Sequence, residues 1–266
     1  MTDVATVRRD LLAEQAALDE VVDALAPDDF RRPTPSPGWS VADQLGHLSY
    51  FDRAAALAVT DPPRFAVLRD ALLNSFGGGV EEADRLTLEP VRTMKPAALV
   101  DHWRSGRRML AEAAATLEED TRVEWYGPSM GSKSFLTARL MECWAHGQDI
   151  VDAVGADRPA SDRLRHIAQL GVITRMWSYV NRGEEPPDGE VRVVLAAPSG
   201  DEWVWGPDEA DASVTGGAED FCLVVTQRRN LADTDLVVEG APAEDWMQRA
   251  QAFAGPATDG PSAGGR

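Results

Sequence analysis

Residues 140–153 read LMECWAHGQDIVDA, a helical stretch that sets Glu142, His146 and Asp149 among Leu140, Met141, Trp144, Ala145, Ile150 and Val151. Residues four apart on an α-helix differ by about 40° around the axis and one turn of rise, so Glu142 and His146 present a carboxylate and an imidazole to one point. Asp149 continues that stripe, and the small residues Ala138 and Ala153 flank it without filling it. A buried carboxylate without a partner is costly, so the stripe calls for a metal ion, the neighbouring Arg139, or solvent if it faces outward. Cys143 is turned about 100° from Glu142, which argues against its joining a ligand set.

Outward from this helix the chain divides by pattern. Apolar positions at Val4, Val7, Leu11, Leu12, Ala16, Leu18, Val22 and Leu25 predict a first helix. Four prolines and a glycine in APDDFRRPTPSPGWS break it. Ser40 with Asp43 three residues on predicts the capped start of a second helix, running to about Val59. A shorter one follows at 62–75, ending at Gly77–Gly79, and another starts after Pro96. The loop EEDTRVEWYGPSMGSKS leads into the helix of residues 140–153, and a further helix is expected over 160–182. NRGEEPPDGE then reads as a linker, and VRVVLAA, EWVWG and ASVTG read as strands. AEDFCLVVTQ reads as a helix, DLVVEG as a strand and PAEDWMQRAQAFA as a last helix. The expectation is an α domain over 1–183, a small α+β domain over 190–254, and a disordered Gly/Pro/Ser tail over 255–266.

With 44 acidic against 26 basic residues the net charge is −18, which disfavours nucleic acid and anionic membrane as partners. No stretch approaches the roughly 20 apolar residues that span a bilayer, and the N-terminus lacks a signal-peptide core, so a cytoplasmic protein is expected. Two cysteines, Cys143 and Cys222, make no disulfide framework.

A tight site needs a third ligand beyond Glu142 and His146. His47 lies in QLGHLSYF on the second helix, whereas His102 and His166 sit among charged neighbours and read as surface or packing residues. Two histidines and a glutamate form the donor set of a catalytic-type zinc site with an open position. The plainer alternatives are a surface i,i+4 pair and a packed core histidine. Trp39 and Trp144 read as core.

PSPGWSVADQLGHLSYFDRAA, then ARLMECWAHGQDIVDAVG, then GGAEDFCLVVTQRRNLADTDLVVEG, in that order, resemble the mycothiol-dependent maleylpyruvate isomerase family, a branch of the DinB-like helical metalloproteins. The resemblance covers nearly the whole chain. It implies a DinB-like four-helix bundle followed by a small α+β domain. It also implies a divalent ion, zinc foremost, held by His47, Glu142 and His146, and a catalytic arginine in the C-terminal domain matching Arg228 or its neighbour Arg229. Asp149 is expected to support a ligand from behind. The family's isomerases add the thiol of mycothiol to a conjugated cis double bond, allow rotation, and release the trans isomer, while related proteins transfer the thiol permanently. The expected partners are therefore mycothiol or another small thiol and an electrophilic small molecule whose identity the sequence does not reveal. A non-catalytic metal-binding or ligand-binding protein on the same fold is the rival reading, and the chain is expected to be a monomer or homodimer.

Overall fold

The computed structural model describes residues 3–265 and divides into two compact units, one ending at Arg158 and the other beginning at Pro159. The first holds helices α1 (Val4–Asp23), α2 (Val41–Thr60), α3 (Pro62–Ser75), α4 (Val80–Arg92) and α5 (Pro96–Ala114). A two-residue antiparallel strand pair, β1 (Arg122–Val123) and β2 (Met130–Gly131), leads into α6 (Ser132–Val154). α2 packs on α5 and α6, and α1 on α6 and α5, which makes the expected four-helix bundle. Its core joins Leu18, Leu45, Leu48, Leu99, Trp103 and Ile150. No helix among the described residues is long and apolar enough to cross a membrane.

Local chemistry sets the ends of the helices that matter most. Ser40 Oγ accepts from the Asp43 backbone N–H while the Asp43 carboxylate accepts from the Ser40 N–H, a reciprocal capping box that fixes where α2 begins. Asp43 is held ionised: burial works against its charge, but hydrogen bonds from the Ser40 backbone and from Arg92 outweigh it. Gly155, at φ 67°, closes α6 in the left-handed conformation that glycine adopts without strain.

From sequence, residues 80–92 are assigned to no element, and the structure makes them α4. Its buried face is Ala83, Thr87, Leu88 and Val91, which recur at helical spacing, with Pro90 standing inside the helix. What holds it is tertiary. Arg92 pairs with Asp43 at 2.7 Å, and Val91 rests on Gly46, where an added Cβ would lie 2.5 Å from Val91 Cγ2. Gly46→Ala is therefore expected to destabilise the protein, since overpacking of about 1–3 kcal/mol exceeds the roughly 1 kcal/mol that alanine gains over glycine in a helix. A lowered urea midpoint at unchanged m would confirm it, and a raised midpoint would refute it.

The second unit departs from the organisation expected from sequence. The helix expected over 160–182 is two, α7 (Leu164–Ile173) and α8 (Arg175–Val180), broken at Thr174. Both lie in the second compact unit, which begins at Pro159, whereas the expected linker is NRGEEPPDGE at 181–190. Those elements are β3 (Val191–Ala196), β4 (Glu202–Trp205), β5 (Ala212–Gly217), α9 (Ala218–Val225), β6 (Val237–Glu239) and α10 (Ala241–Arg249). The apolar face of α7 needs α9 to bury it: Cys222 Sγ donates to Leu164 O at 3.5 Å, and Gly171 lets Val225 and Phe221 approach closely. Tyr179 on α8 donates to Asp245 on α10 at 2.8 Å. The sheet order is β4-β3-β5-β6, with β3 and β5 parallel and the other pairs antiparallel. Residues 255–265 have no helix or strand, yet they do not stand apart as a disordered tail. Gln227 Nε2 donates to Thr258 O at 2.9 Å, Asn230 Nδ2 to Pro261 O at 2.8 Å, and the Gly264 N–H to the Asp233 carboxylate at 2.8 Å.

Candidate metal centre

α2 and α6 run against each other where their polar residues face, which brings His47 to Glu142 and His146. One ligand atom from each lies within 4.8 Å of the others. Glu142 Oε2 is 3.1 Å from His146 Nε2 and 3.4 Å from His47 Nε2, and the two imidazole centroids are 4.2 Å apart. Burial disfavours the charge on Glu142, but hydrogen bonds to His146 and His47, followed by the charges of those rings, hold its carboxyl well below the ordinary carboxylate range.

The donor set fits a divalent cation. His146 Nδ1 lies 2.6 Å from Gln44 Oε1, an atom that can only accept, so Nδ1 carries a proton. Nε2 is then the nitrogen turned toward Glu142, with either a proton or a lone pair to offer. With a proton on Nε2 the ring is itself the cation that meets the ionised carboxylate, and with a lone pair it is a ready donor; a metal ion fits the same point, taking the proton's place in the first case and the lone pair in the second. Two imidazole nitrogens and a carboxylate oxygen suit zinc and its neighbours, leaving a position for another ligand.

The alternative partner for Glu142 is engaged elsewhere. Arg139 is buried and its Nη2 hydrogen-bonds Asp52 Oδ1 at 3.2 Å, with Gln15 Nε2 donating to the other Asp52 oxygen at 3.1 Å. Asp149 does not point to the centre of the cluster. Its Oδ2 accepts from Ser36 Oγ at 3.0 Å and lies 3.9 Å from His146 Nδ1, behind that ring. The cluster includes neither His102 nor His166. Cys143 is buried among apolar side chains, and Trp144 is core, with the Arg158 guanidinium 5.5 Å from its ring.

Trp39, expected in the core, is half-buried at the centre instead. Its ring stacks on His146 at 5.9 Å and 19°, lies 5.1 Å from His47, and its Nε1–H donates to Asp84 Oδ2 at 2.9 Å. Phe51 lies 4.6 Å from His47 on α2. Arg228 and Arg229 occupy the turn after α9, in the second unit. There Gln227 takes φ 58° and the Arg228 backbone N–H donates to Leu223 O at 2.7 Å. Arg228 Nη1 donates to Thr226 O, and Arg229 Nη1 to Arg228 O, each at 2.7 Å.

Sequence alone does not single out Gln44, although it precedes His47 by three positions and so shares its helix face. By fixing the His146 tautomer it should matter nearly as much as a ligand. If the cluster holds a divalent ion, Gln44→Leu is expected to weaken its binding about 10–100-fold, measurable by chelator competition. Native affinity in that variant would remove Gln44 from the centre's function.

Residues 11–151 match the family model of the mycothiol maleylpyruvate isomerase N-terminal domain. Over 256 residues the chain is 44% identical to an uncharacterized protein of Mycobacterium tuberculosis strain CDC 1551 / Oshkosh and, to the same extent, to one of strain ATCC 25618 / H37Rv, covering 96% of this chain and 98% of theirs. Crystal structures of the mycothiol-dependent maleylpyruvate isomerase and of a histidine-to-alanine mutant of it align over 91% of this chain and 99% of theirs, at a TM-score of 0.57 and 17% identity. At that identity the likeness speaks for the fold alone.

Proposed function

The chain belongs to the mycothiol-dependent maleylpyruvate isomerase family, and from that premise we propose that it is a zinc-type metal enzyme using mycothiol or a similar small thiol for isomerisation or S-transfer on an electrophilic small molecule. The observation that carries this reading is the convergence of His47, Glu142 and His146 within 4.8 Å. When bound there, a zinc ion supplies Lewis-acid stabilisation of a thiolate at neutral pH.

The chain's own residues divide the remaining work. His47, Glu142 and His146 hold the ion, Gln44 keeps His146 in its binding tautomer, and Trp39 and Phe51 give the centre aromatic walls that limit water. The nucleophile has to come from outside. Cys143 and Cys222 are fully buried, and burial pushes both thiols up, so neither offers a thiolate. Arg228, with Arg229 as the adjacent alternative, is assigned to orient a substrate carboxylate or stabilise a developing enolate.

The test is metal analysis of tag-free protein, followed by thiol consumption with mycothiol and a panel of electrophiles. Near-stoichiometric zinc with turnover supports the proposal, and zinc without turnover on a broad panel favours a ligand-binding role. Arg228→Ala should lower turnover by about 100-fold with metal content intact, as loss of an oriented charge at a developing anion does. Metal loss in that variant would contradict its assignment.

A further inference from the structure

We infer that Trp39 and Asp84 form a latch that positions the two histidine ligands and sets how fast the bound ion escapes. The inference rests on the metal reading above. It begins with the proline-rich segment between α1 and α2, which by sequence is a mere interruption. Residues 33–40 are closed on themselves: the Thr34 N–H donates to Trp39 O at 2.8 Å, the Trp39 N–H to Ser36 O at 3.1 Å, and Pro33 bridges Ser40. Prolines 33, 35 and 37 limit the backbone further.

This stiff segment reaches the centre by three routes. Ser36 Oγ donates to Asp149 behind His146, and Thr34 Oγ1 accepts from Gln44, the residue that bonds His146 Nδ1. The third route is the Trp39 ring, near-parallel to His146 and against His47. The contacts of His146 at Nδ1 with Gln44 and at Nε2 with Glu142 both lie at the ring's edge, and so constrain its tilt about the line joining the two nitrogens less than its position. A flat indole against its face restrains that tilt.

The indole is held in turn from α4. Trp39 Nε1–H donates to Asp84 Oδ2 at 2.9 Å, and among the described residues Asp84 has no other side-chain hydrogen bond and no ion pair. A half-buried carboxylate engaged by one neutral N–H, in a chain of net charge −18, gains no charge balance from that contact. Its effect is orientation. Trp39 and Asp84 are positioning residues, since neither offers an atom to the ion.

The test uses the full chain loaded with Co²⁺, whose visible ligand-field absorption reports coordination, and follows Co²⁺ loss to excess chelator. Four variants are compared: Trp39→Phe, which keeps a ring but loses the donor, Asp84→Ala, the double variant, and Asp84→Asn, whose amide oxygen still accepts from the indole. Thermal unfolding of the metal-free proteins is measured alongside. The latch predicts release about tenfold faster in Trp39→Phe and in Asp84→Ala, the low end of what outer partners of a metal site contribute. It also predicts no further acceleration in the double variant, because both changes remove one interaction, and recovery of slow release in Asp84→Asn. Native release rates in the two single variants, multiplied effects in the double, or an Asp84→Asn as fast as Asp84→Ala would each overturn it. So would acceleration that tracks lost thermal stability across the set. A parent chain that develops no Co²⁺ band refutes the metal reading itself, and the latch with it, an outcome separable from a band whose decay ignores Trp39 and Asp84.

Discussion

Glu142→Gln should leave the protein folded and strip it of its divalent ion. The substitution keeps the size of the side chain and deletes the charge that the two imidazoles surround. Glu142 is 23% exposed at its side chain, so the amide can still find water and the fold has little to lose. The metal site has much to lose. In the native chain hydrogen bonds and charge from His146 and His47 outweigh burial and hold the carboxyl well below its ordinary range, so it is ionised. Outer partners of a metal site contribute about 10–100-fold in affinity, and removing an anionic ligand should exceed the upper end of that range. His47→Ala should match it, because the cluster then keeps only the half-site on α6. Metal content after dialysis and calorimetric titration of zinc provide the measurement. Native stoichiometry and affinity in Glu142→Gln would end the metal reading and return the cluster to a hydrogen-bonded triad.

Half of this centre was legible in the sequence because it lies on one helix. Spacing on α6 put Glu142 and His146 at one point without any tertiary knowledge, and the same periodicity outlined α1, α2 and α5. His47 could be reached only by elimination among four histidines and by family resemblance, since nothing local says which helix faces α6. What escaped is what depends on distant partners. Asp149 was placed on the right face, but its hydrogen-bond donor Ser36 lies 113 positions away. Trp39 looked like core because an indole in a proline-rich loop has no period to betray its neighbours. α4 has helical periodicity of its own in Ala83, Thr87, Leu88 and Val91, but Gly77–Gly79 before it and Pro90 within it read as breaks, and its contacts with Asp43 and Gly46 are visible only in the structure. α7 is similar: its amphipathic pattern suits either unit, and its contact with α9 places it in the second.

Arg139 supplies the larger stability effect. On sequence it was a candidate partner for Glu142, and the structure gives it to Asp52, with both side chains 3% exposed. A buried ion pair contributes little net stability, because desolvation offsets its attraction, but breaking it by removing one partner leaves an uncompensated charge. Arg139→Leu is accordingly expected to cost about 3–5 kcal/mol. Replacing Asp52 as well, by Leu, should recover much of that loss, with Gln15 left as the one group to satisfy. The pH dependence separates an electrostatic loss from simple loss of packing. In the native chain burial raises the Asp52 pKa above its ordinary 3.8, against the opposing pull of Arg139 and Arg107. The folded state therefore holds this proton more tightly than the unfolded state, and the stability from it is complete below 3.8 and falls as pH rises through the folded-state value. Removing the first of those two guanidinium groups pushes the folded-state pKa higher and widens that window upward. Denaturant midpoints of the metal-free proteins should then diverge progressively as pH rises above the ordinary carboxylate value of 3.8. A gap between native and Arg139→Leu that stays constant over that rise would assign the loss to packing and leave Asp52 with no electrostatic part in it.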